Sequence, residues 1–226
     1  MTKELLIEFI EFDSQEEKEE CEFYMDVKGV QLHYDIMEYL GFDFKSSKKL
    51  KWKTISKVLI DDKKLRDKLY KYLATLEEYI RAYISNKYID DIEQEFWFDG
   101  IAKRNKIKTN LLEGVNLFTV LKNADFGTLI NQVKKLPQID KETIFAKGVY
   151  SDMNLDAVQV LRNAISHHNF LAKYNLKECC VDGEISNSLQ NNIKNLRQLL
   201  PKRYQYGKNG NGGITADMLL CGITID

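Results

Sequence analysis

The sequence predicts an all-α protein: a helical bundle with a less regular N-terminal segment and a C-terminal tail. Three observations predict it. Apolar residues recur at spacings of three and four over long stretches. Only two prolines, Pro137 and Pro201, interrupt the chain. No long span alternates apolar and polar residues as a half-buried strand would.

The clearest stripe is Leu65, Leu69, Leu73, Leu76, Ile80 and Ile84, which predicts a long helix within Asp62 to Lys87. A second helix is predicted over Leu111 to Lys122, ended by Asn123, and a third over Gly127 to Lys135, stopped before Pro137. A fourth runs from Asp156 to about Tyr174. A fifth covers Ser186 to Leu200, with Leu189, Ile193, Leu196 and Leu200 on one side and Pro201 closing it. The first 45 residues are open to two readings: Leu5, Ile7, Phe9 and Phe12 suit either a short strand or a helix. Gly207, Gly210, Gly212 and Gly213 loosen the segment after Tyr206, and Ile214 to Ile225 is apolar enough to dock. These shifts partition the chain into an N-terminal segment (1–45), a helical domain (46–205) and a glycine-containing tail (206–226).

A chain of 226 residues is long enough for one sizeable core. Its 44% hydrophobic and 30% charged residues are those of a soluble globular protein, and no apolar run approaches a membrane span. Acids inside Met1 to Asp13 argue against a signal peptide, so a cytoplasmic location is expected. Cys21, Cys179, Cys180 and Cys221 have neither metal-ligand spacing nor a disulfide framework, which predicts reduced, partly buried thiols. The net charge of −1 is no global signal for nucleic acid. Locally, Lys45, Lys48, Lys49, Lys51, Lys53 and Lys57 fall in a stretch without an acid. With Trp52, Phe42 and Phe44 nearby, Lys48, Lys49, Lys51 and Lys53 are candidate RNA phosphate contacts, against the simpler reading of a solvated face.

Leu161-Arg162-Asn163-Ala164-Ile165-Ser166-His167-His168 holds two of the three histidines. An arginine and a histidine together can bind a phosphodiester, move its protons and neutralise charge on its oxygens without a metal. On a helical wheel with Arg162 at zero, Ser166, Asn163 and His167 fall at about 40°, 100° and 140°, forming one polar strip with it. His168 falls at about 240°, in the core-facing arc, so it is expected to satisfy a buried partner. Phe170 is an apolar intruder on the strip. Glu77 and Arg81 are four residues apart on the long helix, as are Asp62 and Arg66. The simplest reading of each is an intrahelical ion pair. The alternative is that a pair orients Arg162 or His167 from a neighbouring helix, and Glu77 with Arg81 is the stronger candidate. No phosphate-binding glycine loop, HExxH, nucleophile elbow or zinc set is present, and no metal or cofactor is expected.

Arg162-Asn163-x-x-x-His167 resembles the R-(N/D/H)-x-x-x-H signature of HEPN domains, helical modules found in many defence ribonucleases. The resemblance extends to Leu59–Arg66 and Leu76–Arg81, which look like the N-terminal helical signature of the Abi-like (abortive infection, AbiD/AbiF) proteins. Phe126-Gly127-Thr128-Leu129-Ile130 resembles their central Phe-Gly-x-Leu element, and Leu161 to Leu171 their closing segment. The matches run in order over roughly residues 50 to 175. Type VI CRISPR effectors carry related HEPN domains.

The resemblance implies a metal-independent endoribonuclease of phage defence or of a toxin–antitoxin system. Arg162 would hold the scissile phosphate. His167 would be general acid or base for attack by the ribose 2′-hydroxyl, leaving a 2′,3′-cyclic phosphate and a 5′-hydroxyl. Asn163 would orient the site, supported by Ser166, His168, Glu77 and Arg81. One motif per chain implies a homodimer with a composite site, and an antitoxin is a further implied partner. A branch of HEPN toxins carries a modified tyrosine two residues after the histidine. Here Asn169 follows His167 by two and Phe170 follows His168 by two, which argues against that control. The rival reading is a non-catalytic HEPN protein that binds a cognate small RNA, motivated by the lysine stretch. A protein-binding helical module is a third.

Overall fold

In a computed structural model of the chain, the described residues are 1–88, 121–122, 124–145, 148–208 and 212–225. The architecture is all-α with small strand elements. The helix expected over Leu111 to Lys122 lies outside the described residues, apart from Leu121 and Lys122, which are helical. No helix among the described residues is long and apolar enough to cross a membrane. Backbone contacts divide the chain into two compact units: Met1–Asp67 with Ala164–Asn175, and Lys68–Asn163 with Leu176–Asp226.

Unit 1 begins with short elements where the sequence left strand and helix open. Helix α1 (Lys3–Glu8) is capped by Thr2, and α2 (Gln15–Lys28) by Ser14, whose hydroxyl accepts from the Glu17 amide. Gly29, at φ 93°, turns the chain directly into α3 (Val30–Tyr39). Strand β1 (Ile10–Glu11) pairs in parallel with β2 (Leu50–Lys51), with Ile10 opposite Leu50. Helix α4 then runs from Trp52 to Lys87, starting ten residues before its predicted N-terminus because nothing in that lysine-rich stretch breaks a helix. Residues 52–67 of α4 belong to unit 1. The core here joins Leu6, Ile10, Cys21, Met25, Ile36, Met37, Trp52, Ile55 and Phe170. Burial of such side chains is the main stabilising contribution, about 25 cal/mol per Å² of apolar surface.

In unit 2, residues 68–87 of α4 bury Leu69, Leu73, Leu76, Ile80 and Ile84, as the stripe predicts. Helix α5 (Phe126–Lys135) is capped by Asp125, whose carboxylate accepts from the Thr128 amide at 2.6 Å, and it ends before Pro137. Helix α6 (Gln138–Phe145) follows. Helix α7 (Asp152–Ser166) carries the arginine motif and ends at Ser166 rather than near Tyr174. A hairpin of β3 (Cys179–Val181) and β4 (Glu184–Ser186) turns at Asp182 and Gly183, both at positive φ. These strands are too short to show an alternating pattern. Helix α8 (Leu189–Leu199), capped by Ser188, aims Asn191 at the hairpin carbonyls and Asn195 at the Asn154 carbonyl of α7. The tail forms α9 (Lys202–Tyr206) and α10 (Gly213–Leu220), with Ile214, Met218 and Ile225 buried. Cys21 and Cys179 are buried thiols, and burial pushes them up to about 12 and about 11.

Candidate functional site

The site begins with the way α7 stops. The Ser166 carbonyl is the last of the helix; His167 and His168 form the turn beyond it. His168 adopts the left-handed conformation at φ 56°. Its amide donates to the Ile165 carbonyl at 3.1 Å, and the Asn169 amide donates to the Ala164 carbonyl at 3.0 Å. That pair of bonds is a Schellman closure with a histidine where glycine is usual. The left-handed conformation costs a residue with a Cβ roughly 1–2 kcal/mol. It also invalidates the wheel beyond Ser166.

Three expectations are corrected by this early stop. His168 is exposed, not turned into the core. Phe170 is no intruder on a polar strip: it is 7% exposed, in the unit 1 core, edge-on to Tyr39. His167 is exposed beyond the helix end, instead of bordering a helical strip.

The turn is held by Asp62 and Arg66, the weaker candidate of the two ion pairs on the long helix. Asp62 Oδ2 accepts from Arg66 Nε at 2.7 Å, with both side chains under 10% exposed. Asp62 Oδ1 accepts from the Leu171 amide at 3.1 Å. Arg66 Nη1 lies 3.0 Å from His168 Nδ1. A guanidinium only donates, so His168 Nδ1 is the acceptor and its proton sits on Nε2. Residues 62 and 66 therefore clamp both ends of the segment 168–171, immediately after His167. The signal was present: carried back from Leu69, the apolar stripe of α4 passes through residues 65–66 and 62, placing the two charges on the buried face.

Glu77 and Arg81 form their expected ion pair at 2.6 Å. Arg81 further donates to the carbonyls of Leu121 at 2.9 Å and Ala124 at 2.8 Å, holding the approach to α5. Among the described residues, Arg81 therefore bonds Glu77 and two backbone carbonyls, and it makes no bond to Arg162 or His167.

Arg162 and Asn163 lie half-buried in the last turns of α7, in unit 2; Ser166 and His167 belong to unit 1. None of the four side chains makes a hydrogen bond or ion pair among the described residues. The contrast with their surroundings is sharp. Asp156, on the same helix, is engaged by Lys134 and Lys177, and Asn154 by the Val149 and Cys180 carbonyls.

The lysine stretch divides. Lys48 and Lys49 are exposed without a charged partner among the described residues. Lys51 lies 3.8 Å from both Glu11 and Asp13, and Lys53 lies 2.7 Å from Asp13 and 3.4 Å from Glu17. The Lys53 hydrogen bond is the main reason that the Asp13 carboxyl is lowered. The expected aromatic interleaving is absent. Trp52 is 1% exposed and donates to Glu20 at 2.8 Å, while Phe42 and Phe44 pack edge-on to Phe9.

Comparison of the chain with family models, with curated proteins and with solved structures found no match.

Proposed function

We propose that this protein is a metal-independent endoribonuclease of the HEPN type, acting in abortive-infection defence or as a toxin. The observation that carries the reading is the set Arg162, Asn163, Ser166 and His167. All four are polar, close in sequence and without a hydrogen bond or ion pair among the described residues, whereas Asn154 and Asp156 on the same helix are bonded. His167 is exposed and the other three are partly exposed, so their polar groups are available to a ligand.

In this reading Arg162 binds the scissile phosphate and neutralises charge building on its equatorial oxygens. His167, exposed beyond the helix end, takes the 2′-hydroxyl proton or delivers one to the 5′-oxygen leaving group. The 2′-oxygen bonds to phosphorus as the P–O5′ bond breaks, giving a 2′,3′-cyclic phosphate and a 5′-hydroxyl. Asn163 and Ser166 orient the phosphate. His168 is a positioning residue, tied to Arg66. A homodimer supplies a second Arg162 and His167, so that one copy of the histidine acts as base and the other as acid. An antitoxin and a cytoplasmic location belong to the same proposal.

The test is cleavage of RNA in EDTA by wild type, Arg162→Ala and His167→Ala. Loss of cleavage by at least a hundredfold in both variants is expected; equal activity in all three sinks the assignment. Exposed, unpaired Lys48 and Lys49 favour a second reading, a non-catalytic protein that folds around a small RNA. Salt-sensitive binding without cleavage under any condition selects it.

A further inference from the structure

Unit 1 contains a cleft between α2, α3 and the first half of α4, about 510 Å³ including its open mouth. Its walls are of two kinds. Tyr24, Leu32 and Leu59 provide a flat aromatic face and two branched aliphatic side chains. Lys28, Lys63 and Arg66 provide three cations. Lys28 and Lys63 are exposed and make no ion pair among the described residues. Arg66 is 7% exposed, and its described bonds use only Nε and Nη1. The single carboxylate on the wall, Glu20, already accepts from Trp52 through Oε2.

We infer that this cleft binds one unpaired nucleotide of an RNA strand, with the base against Tyr24 and the phosphate among Lys28, Lys63 and Arg66. The inference rests on the RNA reading above and narrows its substrate class to single-stranded RNA. The charge balance selects the phosphate: three cations face one carboxylate, and Asp62 behind Arg66 is occupied by Arg66 and the Leu171 amide. The apolar wall selects a planar partner, because a bare inorganic anion leaves Tyr24, Leu32 and Leu59 in water. A base inside a duplex does not present a free face, so it does not enter. Glu20 Oε1 remains to accept from an exocyclic amine or a ribose hydroxyl. Arg66 also connects the cleft to the turn that presents His167, since the same guanidinium lines the cleft and holds His168. His168 directly follows His167 in sequence, so the Arg66 bond ties the cleft to the residue after the histidine proposed to act on the chain.

The experiment measures binding of uridine 5′-monophosphate by calorimetry and of a fluorescein-labelled 12-nucleotide single-stranded RNA by anisotropy. It compares wild type, the double variant Lys28→Ala/Lys63→Ala and Tyr24→Leu, with cleavage assayed in parallel. The double variant, altered only at exposed side chains, should weaken RNA binding about tenfold and reduce the salt slope by about 1. Tyr24→Leu should weaken it about tenfold at every salt concentration, by removing the stacking face. Wild type should bind the same RNA in duplex form at least tenfold more weakly. Variants that bind both probes as wild type does overturn the cleft, and Arg162-dependent cleavage in that case leaves the ribonuclease reading standing. Cleft-dependent binding of both probes without any cleavage upholds the cleft and removes the ribonuclease reading. Wild type that binds neither probe at low salt removes both.

Discussion

Helix α4 anchors a distant segment in each unit, and in each case an aspartate is the centre of the anchor. In unit 1 the aspartate is on α4: Asp62 holds Arg66 and the Leu171 amide, and Arg66 holds His168. In unit 2 the aspartate is on the tail: Asp217 of α10 accepts from Lys68 at 2.9 Å, Tyr72 at 2.7 Å and Lys71 at 3.0 Å of α4. The first pair is buried on both sides, whereas Lys68 is 42% and Lys71 60% exposed. A buried charge without its partner is strongly destabilising, while a partner reached by water loses less. The two anchors therefore differ in what breaks them. The Asp62 anchor is intolerant of substitution and carries the histidine turn; the Asp217 anchor is tolerant, sensitive to acid, and carries the tail.

The largest effect follows from removing the buried acid. Asp62→Ala leaves Arg66 buried without its carboxylate and the Leu171 amide without its acceptor, which is expected to cost about 3–5 kcal/mol in denaturant unfolding. A loss below about 1 kcal/mol would mean that the pair is not what holds residues 168–171.

Asp217→Asn should cost about 2 kcal/mol at neutral pH. Burial alone would raise this carboxyl, but the bonds from Tyr72, Lys68 and Lys71 outweigh it and hold it at about 2. A folded value below the unfolded one, near 3.9, means that the stabilisation is complete above about pH 4 and is lost as pH falls toward 2. The difference between wild type and variant, followed by urea midpoints, should shrink over that window. A constant difference from pH 7 to 2 breaks the comparison.

A smaller contrast tests the Schellman closure. His168→Ala keeps a Cβ in the left-handed conformation and His168→Gly does not, so the glycine variant should be about 1 kcal/mol the more stable. Equal midpoints would show that the turn relaxes when Arg66 lets go.

The smallest effect concerns His33, which is fully buried in unit 1. Burial lowers it, opposed by its hydrogen bond with the Gly29 carbonyl at 3.0 Å, and it stacks on Trp52. A lowered base contributes fully above its unfolded value of about 6.5 and loses that contribution as pH falls below it. Wild type should lose stability from pH 7 to 5.5, and His33→Phe, within about 1 kcal/mol of wild type at pH 7.5, should lose less. Parallel pH profiles would remove His33 as a source of acid sensitivity in unit 1.

The helices that could be read from the sequence are those whose signals are local. The stripe of α4 from Leu65 to Ile84, the stop before Pro137 and the Leu189–Leu200 face all correspond to observed elements. The end of α7 was not legible, because its closure uses His168 where a glycine would have announced it, and the bond that supports the turn comes from Arg66, far away in sequence. A helical wheel extended past Ser166 carries His168 into the core and Phe170 out of it, the reverse of the observed burial. The early start of α4 hid Trp52 in the same way: a tryptophan among lysines reads as a stacking surface, and the fold buries it against Glu20. Arg162, Asn163, Ser166 and His167 were legible as polar and close in sequence; that they have no partners among the described residues is visible only in three dimensions.

The proposed breakage of RNA by Arg162 and His167 through internal attack of the 2′-hydroxyl is tested most directly by the chemistry of the ends left behind. Wild type incubated with a single-stranded RNA in EDTA should yield 2′,3′-cyclic phosphate and 5′-hydroxyl termini, and neither variant, Arg162→Ala or His167→Ala, should yield them. Products ending in 3′-hydroxyl and 5′-phosphate, or cyclic-phosphate ends formed equally by all three proteins, would contradict it.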